Sequence, residues 1–360
     1  MQVDLKKPSE LTGAEQGAWR AFLAAEPSLA SPYFALEFAE CCEEARDDTR
    51  VLVVREQGAV VGFLPLQTGQ FGFARGLAGP LGDVQGVIAP HSNRPDPAGW
   101  LAAAGIPVFS FHSALASQPG FAEAARDRPD GSWVIDVADG FDAWHAGRKS
   151  VNAKAMRNIA TRFRRLGEVD GGHSFVMADY RPDVFETMVR LKRDQYRRTG
   201  VFDVFSVGWT GRLLKAILRR QSDHFSGVCS SLRVGDEIVA VHVGMASDRL
   251  CHYWFPAYEP DHSRLSPGVL LLVEMVRTAA AIGHVGIELG PGDYGFKKDL
   301  ASSQTGLVGG RFTTRSVGGG LARVSRNCAD ACIQAPLGPL GRIPDKGLRK
   351  LDRLAGFWAL

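Results

Sequence analysis

A strand–turn–strand unit occurs twice in this chain, and that repeat constrains the fold more than any other feature. The segments Val51–Leu64 (VLVVREQGAVVGFL) and Ser231–Gly244 (SLRVGDEIVAVHVG) share one plan. Each has β-branched runs on both sides of a glycine-containing turn, which is hairpin chemistry. Arg55 and Arg233 hold matching places before the turn, and the small residues Gly62 and Ala240 fall at the same offset after it. A repeated supersecondary unit implies duplicated architecture. The 360 residues are enough for two domains of ordinary size.

Around the first hairpin, helical patterns run over Ala14–Ala25, Phe34–Ala45 and Pro97–Ala104, with strands at Ile106–Phe111 and Ser132–Val137. In the second half the order is a strand (Phe175–Ala178), helices (Asp183–Thr199 and Trp209–Arg220), the hairpin and a third strand (Leu250–Ala257). A helix Pro267–Ile282 follows, opened by Ser266 as N-cap and Pro267 at the first helical position. Only Glu274, Arg277 and Thr278 break its apolar surface, so the rest is expected to be buried. A buried strand (Val285–Leu289), a short helix near Tyr294–Leu300 and final strands from Leu307 to Thr313 and just beyond complete the set. The expected organisation is a first α/β (α+β) half at 1–140, a second at 141–320 and a basic amphipathic tail at 321–360. Each half is a mixed, largely antiparallel sheet flanked by helices.

Several function classes drop out. An apolar fraction of 45% and a charged fraction of 22% are those of a globular protein. A net charge of +3 gives no basis for wholesale nucleic-acid binding, so DNA is not an expected partner. The Gly-rich stretch Gly69–Gly86 lacks the Gly-Lys-Ser/Thr of a phosphate-cradling P-loop. The longest apolar run, Val269–Val273, is far too short to span a bilayer, and Met1–Leu11 has no signal-peptide core. Six cysteines without a Cys-x-x-Cys pair suggest a reduced, cytoplasmic compartment, and Cys328 and Cys332 have no acidic or His cluster beside them to hold a metal.

The element order resembles that of the GNAT superfamily of acyltransferases. Four segments carry a closer similarity, to the CelD/BcsL-like branch related to the FemAB peptidyltransferases. They are LKRDQYRRTG (Leu191–Gly200), HYWFPAY (His252–Tyr258), SPGVLLL (Ser266–Leu272) and ELGPGDYGFK (Glu288–Lys297). The similarity is strongest between Val151 and Arg315. It implies an active second half beside a degenerate first one, acyl-CoA as donor (acetyl-CoA foremost), and a sugar or lipid-linked saccharide acceptor from bacterial exopolysaccharide synthesis. Three departures stand out: Glu288 replaces the usual Asp, Phe296-Lys297 stands where Tyr-Lys is common, and Arg264–Gly268 is one residue longer than the usual pyrophosphate signature.

Acyl transfer needs a base for the acceptor proton, an acid for the leaving thiolate and a place for the donor's phosphates. His242 on the hairpin's second strand is the first candidate base, and Glu288, ending a buried strand, is the second. The resemblance makes Tyr294 the candidate acid, with Tyr258 as competitor. Ser266, Pro267, Gly268 and Val269 form a helix N-terminus able to hold phosphate, supported by Arg264 and Lys297. The resemblance places Gln195, Asp203, Trp254 and Tyr258 around the acceptor.

Between His145 and Gly167 stand seven Lys or Arg and no acid, threaded by the stripe Val151, Ala155, Ile159 and Phe163. This basic helix (147–166) and the arginine-rich tail are candidate contacts for an anionic ligand or the inner membrane face. Two other functions fit the same residues: a FemAB-type transferase using aminoacyl-tRNA, and a non-catalytic GNAT scaffold that senses a ligand.

Overall fold

The computed structural model of the chain describes residues 1–126, 129–169, 171–316, 318–320, 324, 347 and 354–358. In chain order the first elements are β1 (Gln2–Lys6), α1 (Gly13–Ala25), α2 (Leu36–Ala45), β2 (Thr49–Glu56), β3 (Ala59–Thr68), β4 (Phe73–Gly76), α3 (Pro97–Ala103), β5 (Val108–Leu115), α4 (Pro119–Ala124) and β6 (Asp130–Asp136). Then come α5 (Phe141–Val151), α6 (Ala153–Gly167), β7 (His173–Val176), α7 (Pro182–Thr199), α8 (Gly208–Arg219), β8 (Phe225–Val234), β9 (Glu237–Ser247), β10 (Leu250–Tyr258), α9 (Pro267–Ala281), β11 (Gly286–Gly290), α10 (Gly295–Leu300) and β12 (Ser303–Thr313). Unit 1 comprises Met1–Leu29, Ala39–Asp130 and Gly306–Leu360, and unit 2 comprises Ala30–Phe38 and Gly131–Thr305.

The two units repeat one plan. Strands run β1-β2-β3-β4-β5-β12 in unit 1 and β7-β8-β9-β10-β11-β6 in unit 2. In each, three antiparallel pairings are followed by a parallel one and a last antiparallel one. The repeat reaches single residues. Val54 pairs with Gly62 and Arg55 with Val60, while Leu232 pairs with Ala240 and Arg233 with Ile238. Both hairpins therefore carry a bulge at the arginine, which bends the strand. Each arginine meets an acid in the first turn of a helix: Arg55 reaches Glu15 of α1, and Arg233 lies 3.0 Å from Asp183 of α7.

The last strand of each sheet comes from the other half of the sequence. Strand β6 pairs with β11, and β12 pairs with β5. Expected boundaries at 140 and 320 give way to cuts after Asp130 and after Thr305, and Ala30–Phe38 joins unit 2. A local pattern identifies a strand but not the sheet it enters, because pairing is a long-range property.

Helix α9 is the centre of the unit 2 core. Leu270, Leu271, Leu272, Val273, Met275, Val276 and Ala279 are buried, as its composition requires. The expected single basic helix is two. Asn152 ends α5 and caps α6, its side chain accepting from Ala155 N–H at 3.0 Å. That break changes the phase of the apolar stripe, so α6 buries Met156, Ile159 and Leu166 while Val151 is 72% exposed. Cys41, Cys42, Cys229 and Cys251 are buried free thiols, whereas Cys328, Cys332 and most of the expected tail lie outside the described residues. Among the described residues no helix is long and apolar enough to cross a membrane, and no cluster of metal-ligating side chains occurs.

Helix α8 lies so close to β8 that only glycine fits between them: a Cβ on Gly227 would fall 2.3 Å from the Ile217 carbonyl oxygen. Gly227→Ala must push the helix end away, and is expected to cost about 2 kcal/mol or more in urea unfolding.

Candidate active site

Two neighbouring strands part at one point in unit 2. Parallel pairing between β10 and β11 covers only Leu250–Gly286, Cys251–Ile287 and His252–Glu288. Beyond it, β11 stays with β6 through Gly290 and Trp133. Strand β10 instead stays with β9, from Phe255–Val243 to Tyr258–Ala240, after a bulge between His252 and Phe255. The parallel ladder ends there, and the end of a ladder is where an extended ligand can add to strand backbone.

His242 occupies the bulge. Its Nε2 lies 3.3 Å from the Trp254 N–H nitrogen and 3.3 Å from the His252 carbonyl oxygen, two backbone groups that the bulge leaves without ladder partners. The ring stacks on Tyr253 at 4.8 Å, and Gly244 makes room for it, since a Cβ there would fall 2.6 Å from Nε2. Burial is complete and pushes the imidazole pKa down to about 3, so the ring is neutral. The sequence-derived first base thus has its reactive nitrogen engaged with backbone.

Glu288, the second, gathers partners that the sequence did not reveal. Its Oε2 accepts from Ser31 Oγ at 2.7 Å, and its Oε1 accepts from Ser132 Oγ at 3.2 Å. His252 Nδ1 lies 3.2 Å from Oε2, at an angle oblique to an ideal hydrogen bond. On the other side of that ring the Tyr33 hydroxyl stands 3.3 Å from Nε2. Glu288 is 3% exposed and His252 is fully buried. One signal for His252 was available, because strand alternation sets it opposite Cys251 and Tyr253. Ser31 and Tyr33 come from the distant Ala30–Phe38 segment and had no local signal.

At the expected donor end, Ser266 is left-handed (φ 51°) and makes no side-chain cap bond to α9. Its carbonyl, not its hydroxyl, takes the first helical N–H, from Val269 at 2.9 Å. A Cβ on Gly268 would meet only the Tyr258 ring, at 3.4 Å, so the backbone there is approachable. Arg264 is exposed with no acid beside it among the described residues. Helix α6 packs on this turn and on α9, and its neighbours Lys149, Lys154, Arg157, Arg162 and Arg165 also have no carboxylate partner among the described residues. Lys297 does not point outward: it is buried, and Nζ donates to the carbonyls of Gly290 (3.1 Å) and Pro291 (2.6 Å). With Trp133 Nε1 donating to Gly292 at 3.1 Å, it clamps the Gly-Pro-Gly turn after β11. Tyr294 is 62% exposed at the edge of that turn, 5.3 Å from the Lys297 ammonium.

Of the expected acceptor residues, Trp254 is half-buried against Tyr33 (5.6 Å between centroids) and Phe255 (5.0 Å). Asp203 forms a turn through Phe205 N–H (3.0 Å) and pairs with Arg193 (2.8 Å). Gln195 is exposed on α7 and accepts from Lys192 at 3.3 Å. Lys192 itself was missed, although it stands at helical spacing from the buried Val184 and Met188. It has no acidic partner among the described residues, and desolvation alone lowers its pKa to about 8. Tyr196, one turn on, is pushed up to about 12 by burial and by Asp203 and Tyr294 nearby.

Comparison with known proteins finds one family model and several solved structures of similar fold. Residues 153–298 match the family described as acetyltransferase (GNAT) domain. Among curated proteins nothing matches. Among solved structures, FemX is similar with a TM-score of 0.60 at 10% identity, over 90% of this chain and 99% of that one. A C-terminal DUF2156 domain from Agrobacterium fabrum reaches 0.55 at 12% identity, over 88% and 97%. L-PGS from Bacillus licheniformis reaches 0.53 at 12% identity, over 89% and 97%.

Two pH-dependent consequences follow from the buried bases. The folded state holds His242 near pKa 3, below the ordinary value of 6.5, so the unfolded chain takes the proton first. Stability from this group is complete above pH 6.5 and is lost as pH falls toward 3. His242→Gln should make the acid limb of stability against pH shallower by up to about 1.4 kcal/mol per pH unit. For Lys192 the unfolded chain keeps its proton up to 10.5 and the folded one only to about 8. Lys192→Met should therefore raise stability at pH 7 by about 1–3 kcal/mol, with the gain fading between pH 8 and 10.5.

Proposed function

We propose that the chain transfers an acyl group from acyl-CoA, acetyl-CoA foremost, to a hydroxyl or amine of a saccharide that becomes part of a bacterial exopolysaccharide. The observation that carries the acyl-transfer reading is the parting of β10 from β11 immediately beyond His252 and Glu288, with α9 starting just past the strand that leaves. In this reading the donor's phosphates meet the α9 N-terminus at Gly268 and Val269, next to Ser266 and Pro267, with Arg264 as the exposed cation beside them. The thioester lies along the parted strands. Glu288, with His252 against it, takes the acceptor proton, and the acceptor atom forms a bond to the carbonyl carbon. The carbon–sulfur bond then breaks, and the Tyr294 hydroxyl returns a proton to the thiolate. His242 holds the bulge, Lys297 holds the turn, and Trp254, Tyr258, Gln195 and Asp203 border the acceptor. The protein works in the cytoplasm, with the α5–α6 face able to lie against the inner membrane surface.

One observation favours a second reading, transfer from aminoacyl-tRNA. The unpaired cations of α5 and α6 make a broad basic face beside the α9 N-terminus, larger than a single pyrophosphate needs, and the fold is similar to FemX.

Titration calorimetry with acetyl-CoA and longer acyl-CoAs separates the two. Binding is expected, and Arg264→Ala should weaken it about five- to tenfold, the loss of one charge-assisted phosphate contact. Folded protein that binds no acyl-CoA would overturn the first reading.

A further inference from the structure

The segment Ala30–Phe38 lies far from the matched residues 153–298 in sequence, yet it belongs to unit 2. It contributes two hydroxyls to the base of the parted strands. We propose that Tyr33 and Ser31 are positioning residues of a carboxylate–imidazole–phenol relay, Glu288–His252–Tyr33, that fixes where the site holds its proton. The catalytic meaning of the relay rests on the acyl-transfer reading above, but its existence does not.

Geometry assigns the protons. The parallel register sets His252 beside Glu288, and Nδ1 comes 3.2 Å from Oε2. Ser31 at 2.7 Å and Ser132 at 3.2 Å both donate to the carboxyl group, one to each oxygen. Nδ1 facing that carboxylate carries a hydrogen, so in the neutral ring Nε2 carries the lone pair. The Tyr33 hydroxyl, 3.3 Å away and 96% buried with its ring, then donates to Nε2. The titratable groups around His252 are Glu288 from β11, Tyr33 from the segment, and His242 from β9, which meets the His252 carbonyl. His242 is neutral and adds no charge.

Such a cluster is costly as mere packing. Each buried polar group needs a partner, and apolar side chains of similar size would fill the space more cheaply. A row of polar groups from Tyr33 through His252 to Glu288 instead gives each ring nitrogen a distinct neighbour and so holds His252 in one tautomer. Tyr33 and Ser31 act through His252 and Glu288; nothing here requires them to touch the acceptor. The neighbours of the Tyr33 ring, Phe38 at 5.0 Å and Trp254 at 5.6 Å, remain packed if only its hydroxyl is removed.

The test needs no substrate. In protein labelled with ¹⁵N-histidine, long-range ¹H–¹⁵N spectra read each ring's tautomer. Wild-type His252 is expected with Nδ1 protonated and Nε2 unprotonated between pH 6 and 8. Tyr33→Phe should shift the Nε2 resonance downfield as its donor is lost. Ser31→Ala should leave Nε2 in place and move Nδ1, because the carboxylate then leans on the imidazole alone. Finding His252 protonated at Nε2 in the wild type, or an Nε2 resonance unmoved by Tyr33→Phe in folded protein, would overturn the relay. Should calorimetry detect no acyl-CoA while these shifts appear, the relay stands and the donor reading falls; the opposite pattern leaves the donor reading intact.

Discussion

Backbone groups that leave a β-ladder must find other partners, and in unit 2 that requirement is concentrated in the two or three residues of β10 around Tyr253 and Trp254. The bulge there separates β10 from β11 and sets the direction in which every later residue of β10 points. One neutral imidazole, His242, meets the freed groups through Nε2, which accepts from Trp254 N–H in one tautomer or donates to the His252 carbonyl in the other, and Gly244 leaves the space for it. A charged ring in that position would carry an unpaired charge into a sealed site, which is why its low pKa and its role in the fold are the same fact. The candidate active site depends on this: His252 and Glu288 sit at the last paired position, and α9 begins a short turn after the displaced strand ends.

The duplicated plan shows what such a site needs beyond its scaffold. Unit 1 has the same strand order, the same alternation of pairings and the same bulge beside an arginine. Its strand β4 has only four residues and pairs in parallel with β5 over three. No long helix follows β4 in the position that α9 takes after β10; two 3₁₀ turns and the short α3 stand there instead. The scaffold is thus shared, while the long strand and the long buried helix α9 belong to unit 2.

Much of the fold was legible. Period-two and period-3.6 patterns located most elements to within a few residues, and the repeated hairpin identified both halves down to the paired Gly62 and Ala240. What stayed hidden was long-range. The exchange of β6 and β12 between sheets leaves no local trace, because each strand has the same alternation whichever neighbour it joins. The break at Asn152 was readable in principle, since Asn is a strong N-cap, but the uninterrupted run of basic residues masked it.

The site was legible in a different proportion, and the reason is chemical. Residue type and spacing proposed His242, Glu288, Tyr294 and Lys297 one at a time, yet the role of each depends on what occupies its remaining hydrogen-bond positions. Lys297 Nζ and His242 Nε2 are engaged by backbone, from the Gly290–Pro291 turn and from the bulge. Glu288 has its positions filled by side chains from three separate stretches: Ser31, Ser132 and His252. A group whose partners are backbone is fixed by the fold and serves it. A carboxylate whose partners are two hydroxyls and an imidazole is held by side chains brought together for it, which no ladder requires. That distinction, more than residue identity, makes Glu288 the centre of the candidate site.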